Sequence, residues 1–99
     1  MNNMSAKKIV GIIIGAVVAI CIIALIVIMT LKIDSLEAQN IALQKSNGGE
    51  IISEEISNEG LWNEYSYKII NGDRWYDIEI DGFGNITDLE TGSGQYPFY

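Results

Sequence analysis

The sequence predicts an α+β chain. An N-terminal transmembrane helix continues into a short helical stalk, and a short helix then packs on a three-stranded antiparallel β-meander. Three observations predict this. An uncharged run of 23 residues, Ile9 to Leu31, lies near the start. Asn71-Gly72 stands between two alternating segments, the strongest short hairpin signal. Breakers at "SNGG" (Ser46 to Gly49) and "DGFGN" (Asp81 to Asn85) divide the remainder. The expected parts are a basic cytoplasmic head (1–8), the membrane helix (9–31), a helical stalk or short coiled coil (32–46), a hinge (47–49), a small α+β head (50–91) and a tail (92–99).

At about 1.5 Å of rise per residue, the apolar run crosses the roughly 30 Å hydrocarbon core of a bilayer with some tilt. Lys7, Lys8 and Lys32 bracket it. A cleaved signal peptide has an apolar region of about 7–15 residues and an A-x-A-like site. This run is longer and has no such site, so a single-pass, uncleaved signal anchor is expected. The acid-free basic head favours a cytoplasmic N-terminus and an outer C-terminal part. Gly11, Gly15 and Ala19 recur every fourth residue. They set small residues on one helix face, where a second copy can approach to form a homodimer.

Beyond the membrane, Ile33, Leu36, Asn40 and Leu43 follow a/d spacing. An Asn at an a position sets register in coiled coils, so Leu36, Asn40 and Leu43 are a second candidate association face. "EIISEEISNEG" places Ile52 and Ile56 four apart and Gly60 at a C′ position. That spacing predicts a helix over 50–59.

A two-residue loop at Asn71-Gly72 sets Ile70 opposite Asp73, Tyr67 opposite Tyr76 and Tyr65 opposite Ile78. Opposite residues share a face. One face then carries Tyr65, Tyr67, Ile69, Tyr76, Ile78 and Ile80. The other carries Glu64, Ser66, Lys68, Trp75, Asp77, Glu79 and Asp81, with Lys68 covering the Trp75 ring. Trp75, Asp77, Glu79 and Lys68 are the candidate partner-binding face. A third strand is expected over Asn85 to Glu90. Its Ile86 and Leu89 have opposite parity, which points to a bulge or an irregular edge. In the tail, Tyr96, Phe98 and Tyr99 could fold back on the sheet.

Charge is unevenly placed. All thirteen acids lie from Asp34 onward, against Lys45, Lys68 and Arg74, which leaves that part at −10. Such a surface repels a nucleic-acid backbone and suits a basic partner or plain solubility. The chain has no His, and its one Cys, Cys21, lies in the apolar run. No catalytic residue, metal ligand set or cofactor site is expected. Asp77 to Asp88 approximates calcium-loop spacing, but Ile78 and Ile80 hold positions that such a loop keeps polar. Strand, turn and strand is the expected reading.

"RWYDIEIDGFGNITDLET" resembles the end of a PepSY domain through Tyr76, Ile78, Ile80, Asp81, Gly84 and Ile86. The resemblance spans residues 50–91 and implies an extracytoplasmic binding or inhibitory module of bacterial envelopes, without catalytic residues. The plan of short head, membrane helix, Asn-containing coil and small outer domain also resembles the septum-formation-initiator proteins, through Leu36, Asn40 and Leu43. Two functions are therefore expected: a membrane-anchored module that contacts a protein or peptide, or an envelope assembly protein that works through its helices.

Overall fold

A computed structural model of the chain describes residues 5–94. The described residues fall into two units, divided after Thr30. The first is α1, Ala6–Leu31, 26 residues long and with no buried residue. The helix is long and apolar enough to cross a membrane. Side chains at Gly11 and Gly15 would meet nothing within 4 Å, so the small-residue face is open.

The second unit is an α+β head. It holds α2 (Ser35–Lys45) and four strands: β1 (Glu50–Asn58), β2 (Asn63–Asn71), β3 (Arg74–Ile80) and β4 (Ile86–Ser93). The strands form one antiparallel sheet in the order β1-β2-β3-β4. Of the tail expected over 92–99, Gly92 and Ser93 belong to β4, and residues 95–99, with Tyr96, Phe98 and Tyr99, lie outside the described residues.

Two expectations change together. Residues 50–58 are a strand, not a helix, so the sheet has four strands rather than three. The helix that covers the sheet is α2, which was expected to be a stalk. The cause is a bulge at Ile52. Ile51 pairs with Ile69, Ser53 with Lys68, Glu54 with Tyr67 and Ile56 with Tyr65. The inward positions are therefore 51, 54 and 56. A bulge breaks the period of two, and the spacing that remains imitates a helix. Gly60 does adopt a positive φ of 96°, but it turns β1 into β2.

α2 begins on Asp34, whose carboxylate accepts from Glu37 N–H at 2.9 Å, an N-cap bond. It ends in a Schellman motif: Gly48 N–H donates to Leu43 O at 2.7 Å and Asn47 N–H to Gln44 O at 3.3 Å, with Asn47 at φ 59°. The expected hinge at 47–49 is instead a fixed connection. The Asn71 side chain donates to Ser46 O at 2.9 Å and to Asn47 O at 3.2 Å. Gly49 lies so close to the hairpin that a Cβ would stand 2.5 Å from Ile70 O.

The hairpin register also differs. Asn71 pairs with Arg74, so Gly72 and Asp73 form the loop. Gly72 takes φ 62° at the first central position, where a II′ turn requires glycine. Asn71 is thus freed to hold the end of α2. The register moves by an even count, so face membership survives. Tyr65, Tyr67, Ile69, Ile78 and Ile80 are buried beneath Ala38 and Ala42, with Ile33, Ile41, Leu43, Ile51 and Tyr76 packed around them. The two alanines, one turn apart, let α2 lie close on the sheet.

A polar cluster ties three elements at the rim of this core. The Tyr67 hydroxyl donates to Glu54 Oε2 at 2.7 Å, with Ser35 O at 3.3 Å, and Gln39 Nε2 donates to the same Glu54 oxygen at 2.9 Å. The bonds from Gln39 and Tyr67 hold the Glu54 carboxyl below its ordinary 4.5. Burial, and then the bond to Glu54, push the Tyr67 hydroxyl well above its ordinary 10.0. For a depressed carboxyl, the stability gained is whole above its unfolded value and is lost as pH falls through the folded one. Thermal melts should therefore weaken as pH falls below about 4.5. Glu54→Gln should make that acid limb shallower. Identical acid limbs would contradict the linkage.

Candidate functional site

α2 covers one face of the sheet. Within the head, no element among the described residues packs on the other. Cross-strand pairing builds this open face in rows. One row is Glu50, Ile70, Trp75 and Gly92. The next is Ser53, Lys68, Asp77 and Glu90. The third is Glu55, Ser66, Glu79 and Asp88, and Ser57 with Glu64 begins a fourth.

The candidates Lys68, Trp75, Asp77 and Glu79 thus share one face, as expected. The two-residue change in register alters their neighbours. Lys68 stands opposite Asp77, not opposite Trp75. Trp75 instead stands between Ile70 and Gly92. Its indole lies over Gly92, where a Cβ would come within 2.6 Å of the ring. The ring is half-buried and forms the apolar corner of an otherwise acidic surface.

Residues of β4 complete the site, and sequence reasoning missed them. Glu79 pairs directly with Asp88, and Asp77 with Glu90. Like charges placed opposite one another in a sheet are destabilising, by an amount on the order of 0.2–1 kcal/mol per pair. The signal was present in the alternation of Asp88, Glu90 and Gly92 against Leu89 and Thr91. The expected bulge is there: Ile80 pairs with Ile86 and Glu79 with Asp88, which leaves Thr87 over. It brings Ile86 and Leu89, despite their opposite parity, across from Ile80 and Ile78. Near this end Glu55, Ser57, Glu64, Ser66, Glu79 and Thr87 line a shallow hollow of about 650 Å³.

Asp81, the pivot of the calcium-like spacing, is committed to its own turn. Its Oδ1 accepts from Phe83 N–H and Asn85 N–H, each at 2.9 Å, and its Oδ2 from the Asn85 side chain at 3.0 Å. Burial disfavours its charge, but these bonds outweigh burial and hold the carboxyl below its ordinary 3.8. Ile78 and Ile80 are buried strand residues, so the segment is strand, turn and strand.

The helix-association candidates divide. Leu36 is 65 % exposed and Asn40 is exposed on the outer side of α2, whereas Leu43 packs partly against the core. Gly11, Gly15 and Ala19 lie exposed along α1. Comparison with known protein families, with curated proteins and with solved structures finds no match to this chain.

Proposed function

We propose that the protein is a single-pass, membrane-anchored binding module that acts by contact with a basic protein or peptide segment on its open sheet face. The observation that carries this is the pairing of Glu79 with Asp88 across β3 and β4, two acids directly opposite each other on the open face. Such a pair works against the fold, and a cationic partner would relieve the repulsion. Trp75 and Ile70 supply an apolar corner beside the charge. The sheet edges are less suited to strand addition, since β1 and β4 each carry a bulge and acidic side chains, features that blunt an edge.

The basic head with Lys7 and Lys8 supports a cytoplasmic N-terminus and an extracytoplasmic head. The resemblance of Tyr76 to Ile86 to the end of a PepSY domain supports a bacterial envelope setting and a regulatory role. The alternative, an assembly protein working through its helices, has the exposed Leu36 and the open Gly11 and Gly15 face in its favour.

The test is Asp88→Lys in the full chain, read against a Lys/Arg-rich peptide. Replacing one acid of the Glu79 pair should raise the melting temperature of the head. The same change should weaken peptide binding about tenfold, and binding should fall with salt. A variant that binds as well as the parent overturns the reading. If function instead fails in Gly11→Leu with Gly15→Leu and survives Asp88→Lys, the assembly reading stands.

A further inference from the structure

We propose that the β1–β2 and β3–β4 loop end of the head is a membrane-interface surface, with Leu61, Trp62 and Phe83 lodged among the phospholipid headgroups. This rests on α1 crossing the membrane.

The chain enters the head at this end. Ile33 N–H donates to Gly82 O at 2.8 Å, and the Tyr65 hydroxyl donates to Ile33 O at 3.1 Å. Residue 33 is therefore fixed beside the β3–β4 loop. Lys32, directly before it, follows on Leu31, the last residue of α1. The link is covalent and short, with Lys32 alone between the last residue of α1 and Ile33.

The side chains match that location. Trp62 and Phe83 come from different loops and pack as a tilted pair, with ring centroids 5.4 Å apart. Gly82 lets the indole lie on the backbone, for a Cβ there would run into the Trp62 ring. Leu61, at the tip beside them, is 46 % exposed. A shallow groove of about 450 Å³ runs between Lys32 to Ser35 and Leu61 to Asn63. Aromatic rings with a polar edge are enriched at the headgroup level of membranes, and Lys beside an apolar span reaches toward it.

Three acids at this end make local bonds, while Glu64 is exposed. Asp34 caps α2, Asp81 holds its turn, and Glu59 accepts from the Ser57 hydroxyl at 2.7 Å. Among the described residues, the tips of the opposite end are Asn47, Gly72, Asp73 and Arg74.

The two tryptophans provide the test. The full chain is reconstituted in phosphatidylcholine vesicles with lipids brominated near the top of the acyl chain. Trp75→Phe leaves Trp62 as the reporter, and Trp62→Phe leaves Trp75. Trp62 should emit at shorter wavelength and lose much of its emission to the brominated lipid, while Trp75 should not. A nitroxide on Leu61→Cys, with Cys21→Ala, reads the same question without altering either ring. It should be more accessible to oxygen than to a water-soluble nickel complex. A vesicle-embedded chain whose Trp62 is untouched by brominated lipid overturns the proposal alone. So does a Trp62 shielded from acrylamide but not quenched by lipid, which would indicate a protein contact. A chain that stays in the aqueous phase without detergent overturns the membrane reading as well.

Discussion

A fragment beginning at Glu50 should remain unfolded, whereas one beginning at Leu31 should fold. The shorter fragment keeps all four strands but loses α2. Without Ala38 and Ala42 above them, Tyr65, Tyr67, Ile69, Ile78 and Ile80 would face water. Each is at most 3 % exposed in the intact head. Leaving a large apolar side chain exposed forfeits about 1.5–3 kcal/mol. Five such losses rival the entire stability of a small domain, about 5–15 kcal/mol. The fragment would also lose the bonds from Tyr65 and Tyr67 to the backbone of Ile33 and Ser35. Near-ultraviolet circular dichroism and amide dispersion would report the difference. A dispersed spectrum from residues 50–99 alone would show that α2 is dispensable to the fold.

Within the intact head, Ile78→Ala should be among the most damaging single changes. Ile78 is fully buried, paired with Tyr67 on one side and Leu89 on the other. Truncating such a residue costs about 2–5 kcal/mol, part of it from the cavity left behind. In a domain of this size that corresponds to a fall on the order of 10–30 °C in melting temperature. Leu89→Ala, one strand nearer the edge and 38 % exposed, should cost much less. Thermal melts of the two variants in residues 31–99 decide the point. Equal losses would mean that the core does not sit between β2 and β3.

The same core shows what could be read from residue order alone. The apolar span, the two central strands and their division into apolar and acidic faces were legible. Each depends on a local period, uninterrupted charge-free sequence in α1 and strict alternation in β2 and β3. Face membership survived an error in the turn because the register moved by two, and a shift by an even number keeps each side chain on its face.

The helical layer was not legible, for two physical reasons. The bulge at Ile52 disguised β1 as a short helix. Meanwhile α2 presents its smallest residues, Ala38 and Ala42, to the sheet, so its buried stripe carries little hydrophobic signal. Its more conspicuous Leu36 points outward at 65 % exposure. The candidate face was partly legible for a related reason. Trp75, Asp77 and Glu79 lie on one strand and alternate with buried residues. Asp88 and Glu90 join them only through the β3–β4 register and the bulge at Thr87, which local sequence does not encode. Trp62 and Phe83 are brought together by two separate loops and by the close approach at Gly82, a tertiary effect.

One face of the sheet lies beneath α2, and the other is the surface proposed for a basic partner. An amide and indole titration of isotope-labelled residues 31–99 with a Lys/Arg-rich peptide tests this most directly. Shifts should concentrate at Lys68, Asp77, Glu79, Asp88, Glu90 and the Trp75 indole N–H, and should diminish with added salt. The amides of Ala38 and Ala42 should stay still. Shifts centred on α2, or a sheet that does not respond, would contradict it.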